Sequence, residues 1–338
     1  MIHVHAALER NTKNVTVNRV SNMSKRVIIT GGAGFIGSHT VEEFLLHDYE
    51  VVVIDNLSSG LKKNLENVSE KIKFVEGDIR DKSLLTENIR KGDIVVHLAG
   101  FISVPDSILR PEESHDINVN GTNTLYVVAK DMGAKRVVTA SSAAIYGEPE
   151  MIPQNENNSL KSFSPYALHK TIIEKYAELY SRIFCVEHVA MRFFNVYGPR
   201  QASSGGYAAV IPIFMEKIKN DIPAEINGDG SAVRDFIYVK DVARVLRLAA
   251  EFEMTKDVSN SAVPAVLFNY FNIATGKPST INELWSNLCK IMDKDIQPIY
   301  KPFRIGDVHT SLADVSKAKE MLKFEAETSF FDGLKSML

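Results

Sequence analysis

Thr30-Gly31-Gly32-Ala33-Gly34-Phe35-Ile36-Gly37 is the stretch on which the reading of the whole chain turns. Arg26 to Thr30 before it is apolar and rich in β-branched residues, and Phe35 to Leu46 after it is spaced as a helix with one apolar face. In a strand, glycine turn and helix of this kind, one glycine takes a backbone shape closed to other residues. A second lets the main chain approach a pyrophosphate, and a third lets helix and strand pack closely. Unpaired N–H groups at the helix start then face the phosphates. A glycine-rich turn without a ligand is the plain alternative, and the next strand argues against it. Glu50 to Ile54 ends in Asp55, about twenty residues beyond the glycines, where a carboxylate accepts both hydroxyls of an adenosine ribose. That charge repels a 2′-phosphate, and no basic residue follows in Asn56-Leu57-Ser58-Ser59-Gly60. The expected cofactor is therefore NAD and not NADP.

The alternation continues outward. Ile72 to Val75, Asp93 to His97 and Arg136 to Ala140 read as strands, with helices near Asp81 to Ile89 and Glu112 to Asp131. Strands alternating with helices predict an α/β fold, a Rossmann doubly wound parallel sheet with helices on both faces, whose ligand lies beyond the carboxyl ends of the strands. Gly77-Asp78-Ile79, Leu98-Ala99-Gly100 and Ser141-Ser142 each follow a strand and so fall on one rim. A long helix is expected from Ser164 to Ile183, with Ser-Pro at its start. Beyond Met191 come loops rich in Gly, Pro and Asn, at 195–206 and 222–235. Helical stretches return at 208–219, 239–253, 280–292 and 314–322. The expected division is an NAD-binding domain over 25–191, with part of 236–275 returning to it. A smaller α/β substrate lobe is expected over 192–235 and 276–338.

With 338 residues, 45% of them hydrophobic and 24% charged, the chain can bury a large core. A net charge of −3 gives no general attraction to nucleic acid or an anionic membrane. Cys185 and Cys289 form no metal-spacing pattern and fit a reducing cytoplasm, and no His-Glu-x-x-His is present, so no protein-ligated metal is expected. No apolar run approaches a membrane span. Residues 1–24 are polar and carry Arg10, Lys13 and Arg19 against Glu9 alone. They read as a disordered leader or an over-called start, with an organelle-targeting peptide as the alternative.

The chemistry enters with Tyr166-Ala167-Leu168-His169-Lys170. Tyr166 and Lys170 share one helix face, one turn apart. A phenol is a poor base at neutral pH, but a neighbouring ammonium and a nicotinamide cation both favour phenolate. Ser142, at a strand end, is placed to hydrogen-bond the same substrate oxygen. Together the three would remove a hydroxyl proton while hydride leaves the attached carbon for NAD.

On these motifs the chain resembles the extended short-chain dehydrogenase/reductase superfamily, in its NAD-dependent sugar epimerase/dehydratase branch. The resemblance runs from Lys25 to Leu322 and includes Asn118-Val119-Asn120-Gly121-Thr122 and the Arg192 to Pro199 segment. It implies catalysis by Tyr166, Lys170 and Ser142. It implies NAD contacts from the glycine turn (Gly31, Gly34, Phe35, Ile36, Gly37) and from Asp55, Asn56, Ser59 and Gly60. Further NAD contacts are implied for Asp78, Ile79, Leu98, Ala99, Gly100 and Phe193, besides Tyr166 and Lys170. Where sugar dehydratases carry an Asp-Glu pair after the serine, this chain has Ala143-Ala144. The likeness is therefore to UDP-glucose/UDP-galactose 4-epimerases, with relatives acting on UDP-N-acetylglucosamine or UDP-glucuronate. It implies a UDP-sugar held by Ser103, Ser142, Asn195, Arg234, Arg304, Asp307 and Ser311, the last beside the hexose C2 substituent, and a homodimer through a helix bundle. Ile102 departs from the lysine that many galactose-type members carry. A dehydrogenase releasing NADH and a non-enzymatic NAD-sensing protein are the competing readings.

Overall fold

The structure is a computed structural model that describes residues 25–202, 209–254, 267–303 and 308–338. Seven parallel strands form the central sheet: β1 (Arg26–Thr30), β2 (Glu50–Asp55), β3 (Ile72–Glu76), β4 (Ile94–His97), β5 (Arg136–Ser142), β6 (Glu187–Phe193) and β11 (Phe268–Ile273). Their order is β11-β6-β5-β4-β1-β2-β3. Because β1 lies between β2 and β4, the winding reverses beside it, and a crevice opens where the loops after β1 and β4 diverge.

Period-2 alternation sends Val27, Ile29, Val51, Val53 and Val96 to one face, and Ile28, Val52, Ile54, Val95 and Val137 to the other. Both faces are covered. On the first lie α1 (Phe35–Leu46) and α8 (Val239–Glu251); on the second α2 (Lys82–Asn88), α5 (Thr122–Met132) and α6 (Pro165–Phe184). That double burial is why the strands read as continuous apolar runs.

The sequence pattern identified five of the seven strands. β6 and β11 escaped because His188, Arg192 and Asn272 interrupt their apolar runs, yet all three are buried in polar or aromatic company. The helix expected from Glu112 is α4 (Pro111–His115), a π-helical stretch at Asp116–Gly121, and then α5. The widened turn buries Asn118, whose side-chain amide pairs with both Phe101 N (2.8 Å) and Phe101 O (2.9 Å). Helix α3 (Val104–Leu109), capped by Ser103, was not anticipated.

The remaining elements build a second unit with its own core. These are β7 (Asn195–Tyr197), α7 (Val210–Lys219), β8 (Glu225–Asn227), β9 (Val233–Arg234), β10 (Phe236–Tyr238), β12 (Ser279–Thr280), α9 (Ile281–Ile291), β13 (Ile299–Lys301), β14 (Thr310–Ser311) and α11 (Phe330–Lys335); the exception is α10 (Ser316–Leu322), whose Ala318 and Leu322 join the core of the first sheet face. Phe214, Phe236, Leu284, Trp285 and Leu334 form the centre of that core, with Phe236 stacked on Phe330. The small sheets pair β10 with β7, β12 and β14 with β9, and β13 with β8.

One buried cation ties the sheet to its covering helix. Arg136, 1% exposed, donates to Ala249 O (2.8 Å) and Ala250 O (3.0 Å) at the carboxyl end of α8, and also to Glu187. The last turn of α8 has no basic residue of its own, so Arg136 supplies the charge its exposed carbonyls attract. Arg136→Met leaves Glu187 and two carbonyls unpaired, and is expected to lower unfolding stability by about 3 kcal/mol. Chemical denaturation followed by circular dichroism checks this; a change below about 0.5 kcal/mol would refute the role.

Candidate active site

The crevice beside β1 is a cleft of about 500 Å³, lined at its floor by Gly31, Gly34, Phe35, Ile36 and Gly37. Gly31 has φ +71°, and a side chain there would meet Ala99 N at 2.6 Å. A Cβ on Gly37 would stand 2.0 Å from Gly31 O. Gly34 is the N-cap of α1 and offers no capping side chain, nor is there an acid in the first turn, so the helix start presents its N–H groups to the cleft.

Asp55 ends β2 with its carboxylate already accepting from Ala33 N (2.9 Å) and Leu57 N (2.8 Å). It still lines the cleft, beside Asn56, Ser58 and Ser59. Gly60 lies behind it, where a Cβ would press on both carboxylate oxygens at 2.9 Å, and is not part of the cleft wall. Asp78, Ile79, Leu98, Ala99, Gly100 and Phe193 complete the wall.

Arg80 was missed by the sequence reading, although it directly follows Gly77-Asp78-Ile79 and lines the same cleft. Its guanidinium donates to Asp78 (2.9 and 2.8 Å) and to Asp116 (2.6 Å), and holds the Asp78 carboxyl down at about 2. Glu113 and Gln201 are further wall residues that no sequence signal marked.

Ser142, Tyr166 and Lys170 meet on the wall formed by β5 and α6. Ser164 caps α6 and Pro165 opens it, which brings Tyr166 into the first turn, facing the cleft. Lys170 is buried. Its Nζ donates to Ala140 O at 2.8 Å and lies 5.8 Å from the centre of the Tyr166 ring. Burial pulls the ammonium down to about 8, with the charge of Glu174 acting in the opposite direction. Burial likewise pushes the Tyr166 phenol up, offset by its hydrogen bond with Ser142. The expectation from sequence is that a neighbouring ammonium and a nicotinamide cation both favour phenolate; in the protein alone, burial is the larger influence and acts the other way. Ala143 and Ala144 form a short 3-10 turn after Ser142, whose Oγ accepts from Ala144 N at 3.1 Å, and bring no carboxylate to the wall.

Of the residues expected at a substrate, Ser103, Asn195, Arg234 and Ser311 stand outside the lining of this cleft. Ser103 is buried as the cap of α3, accepting from Asp106 N. The other three are gathered by register: Arg234 faces Ser311 across β9 and β14, and Asn195 faces Phe236 across β7 and β10. Asp235 between them, quoted in no role by the sequence, is fully buried and accepts from Thr275 N and Oγ1, Gly276 N and Ala313 N. Arg304 and Asp307 lie outside the described residues. Among the described residues no group of three or more His, Cys, Asp and Glu side chains could share a metal ion, and no helix is long and apolar enough to cross a membrane.

The model of the NAD dependent epimerase/dehydratase family matches residues 27–262. A putative UDP-glucose 4-epimerase of Methanocaldococcus jannaschii is 38% identical over 315 residues, covering 92% of this chain and 97% of that protein. Among solved structures, the UDP-N-acetylglucosamine 4-epimerase of Methanobrevibacter ruminantium in complex with UDP-N-acetylmuramic acid superposes with TM-score 0.85 at 36% identity. It covers 93% of this chain and 97% of that one. The UDP-glucose 4-epimerase of Thermus thermophilus in complex with NAD gives 0.80 at 32%, covering 92% and 97%. The likeness runs along nearly the whole length of the chain, and the chain belongs to the NAD-dependent epimerase/dehydratase family.

Proposed function

We propose that this protein is a UDP-hexose 4-epimerase that interconverts UDP-glucose and UDP-galactose and admits their N-acetylated counterparts. The observation that carries the reading is the wall at the end of β5, where Ser142, Tyr166 and Lys170 converge while Ala143 and Ala144 follow. Elimination of water needs an acid and a base beyond the tyrosine. Epimerisation at C4 needs only a group that takes and returns one proton, and space for the sugar to turn over.

The glycine turn and Asp55 at the ribose would hold NAD, which when bound would supply the acceptor and donor of hydride for C4. Tyr166 takes the 4-hydroxyl proton and gives it back. Ser142 orients that oxygen. Lys170, held by Ala140 O, keeps positive charge beside the phenol, against the effect of burial, and a bound oxidised nicotinamide would supply a second cation. Asn195 and Arg234 hold the diphosphate, about which the keto sugar swings, with Arg304 and Asp307 toward the nucleotide; a planar guanidinium suits phosphate. Ser103 acts at a distance, by capping α3 directly after the wall residues Phe101 and Ile102.

Tyr166→Phe is expected to lower kcat on the order of 10²–10⁴-fold while the purified protein still carries NAD. Interconversion of UDP-glucose and UDP-galactose read by NMR, without added dinucleotide, is the test. Near-normal turnover in the variant would sink the mechanism, and stoichiometric release of NADH by the wild type would favour the dehydrogenase reading. Lys170 loses its proton as pH rises through about 8, so the activity it supports declines on that side.

Ser311 on β14 is small and half-buried beside Arg234. A pocket bounded there by a hydroxymethyl has room for an N-acetyl group at C2. Ser311→Tyr should cut kcat/KM for UDP-N-acetylglucosamine at least about tenfold through overpacking while largely sparing UDP-glucose. Equal losses on both substrates would show that Ser311 does not set the selectivity.

The outer face of α6 supports a homodimer. Leu168, Leu179 and Ile183 are exposed with Ile172 half-buried between them, one apolar stripe at helical spacing, next to exposed Ile108 and Leu109 of α3. A twofold contact buries such a stripe against itself. Light scattering on the wild type should give a dimer, and the Leu179→Glu/Ile183→Glu double variant a monomer. A monomeric wild type at micromolar concentration defeats this reading.

A further inference from the structure

Behind the catalytic wall runs a chain of buried polar groups that begins on the catalytic helix. Glu174 lies one turn beyond Lys170 and is 4% exposed. Its Oε1 accepts from Ser141 Oγ (2.5 Å) and Arg192 Nε (3.0 Å), and its Oε2 from Arg192 Nη2 (2.7 Å). Arg192, at the carboxyl end of β6 and 3% exposed, uses Nη1 on Tyr146 Oη (2.9 Å) and Glu156 O (3.0 Å). Tyr146 donates to Asn272 Oδ1 at 2.6 Å, and Asn272 Nδ2 donates to Gln154 O at 2.9 Å. Gln154 in turn bridges to Ala313, two residues beyond Ser311.

A helix docks on a sheet without ions, and Ala177, on the same side of α6, already packs in the apolar core of that sheet face. Replacing a buried ion pair by apolar residues of like volume is often neutral or stabilising, so docking alone does not call for this one. What the carboxylate adds is a fixed geometry. It holds Ser141, the residue before Ser142, with an oxygen carried by the same helix as Tyr166 and Lys170. We propose that Glu174 is a positioning residue for the 4-epimerase reaction: locked by Arg192, it holds the end of β5 bearing Ser142 in register with the helix bearing Tyr166 and Lys170. This rests on the catalytic assignment of those three residues.

A second consequence is electrostatic. Glu174 is the acidic neighbour that opposes the effect of burial on Lys170. The other charged or titratable groups facing this lysine are Tyr166 and His169 on α6 and His97 on β4, with Arg192 of β6 behind Glu174. Glu156, and Lys317 of α10, adjoin the same network farther out. Removing the carboxylate charge therefore lets Lys170 lose its proton at lower pH.

The experiment compares holoenzymes across pH with UDP-glucose as the probe: wild type, Glu174→Gln, Glu174→Asp, Ser141→Ala, and Tyr166→Phe as control. Glu174→Gln should lose kcat on the order of 10- to 100-fold, as expected for misplaced catalytic groups, with KM within about twofold. Its alkaline limb should move to lower pH, and Glu174→Asp should recover part of both. Ser141→Ala keeps the charge, so its kcat should fall without movement of that limb. A wild-type kcat and pH profile in Glu174→Gln overturns the inference, as does an Asp variant no better than Gln. If Glu174→Gln does not fold, Ser141→Ala decides, and wild-type kcat there overturns it. Turnover surviving in Tyr166→Phe would instead bring down the catalytic assignment beneath the inference.

Discussion

The rest of the molecule depends on the distance at which helix α1 crosses the turn that feeds it. A Cβ at Gly37 would sit 2.0 Å from Gly31 O and 2.7 Å from Gly32 Cα, and no rearrangement of side chains can relieve a clash with backbone. With hydrogen at these positions the helix starts directly over β1, and its uncapped N–H groups open on the switch point of the sheet. The same crossing sets α1 against α8, so the core of one sheet face and the floor of the cofactor cleft are built by one contact. A helix start suited to phosphate is here a by-product of how closely two backbone segments can approach.

Around that floor the protein manages charge by saturation. Asp78 has its two oxygens taken by Arg80 and Asn56, Glu174 by Arg192 and Ser141, and Asp235 by Thr275, Gly276 and Ala313. Burial by itself penalises the carboxylates of Asp78 and Asp235, and the outcome depends on what answers it. A guanidinium at Asp78 wins and pulls the carboxyl well down. Neutral donors at Asp235 do not, and that carboxyl stays above its ordinary range. Such groups are costly to leave half-satisfied, which makes each of them a point where the backbone has little freedom.

The legible part of the sequence was the part governed by local rules. Glycine spacing, an acid at a strand end and a Tyr-Lys pair on one helical face each follow from geometry within about twenty residues, and the cleft brings together Gly31, Asp55, Ser142, Tyr166 and Lys170. What escaped is governed by distant partners. His188 and Arg192 made β6 look polar because an arginine in a strand reads as solvent-exposed until its partner Glu174, on another element, is known. Arg80 carried no sequence signal of its own, and at the π-helical turn Asp116–Gly121 the partner of Asn118 is Phe101, on another element. The short strands of the second unit, of two or three residues, lie below the length at which alternation carries information.

The division of labour between the two units follows from the reaction. A sugar that must present both faces of C4 to one nicotinamide cannot be gripped at its ring by rigid groups on every side. Strong contacts are best placed on the part of the substrate that does not move, the diphosphate and nucleotide, and weak ones near the hexose. The architecture is suited to that. The residues proposed for proton transfer sit at the end of β5 and on α6, which packs against the central sheet, while Asn195, Arg234 and Ser311 sit on short strands outside that sheet. Asp235 joins the two, since its backbone oxygen accepts from Asn195 N at 3.0 Å and its carboxylate holds the loop that follows β11. Precision is therefore concentrated where the proton moves, and the tie through Asp235 keeps the second unit at a fixed reach from it.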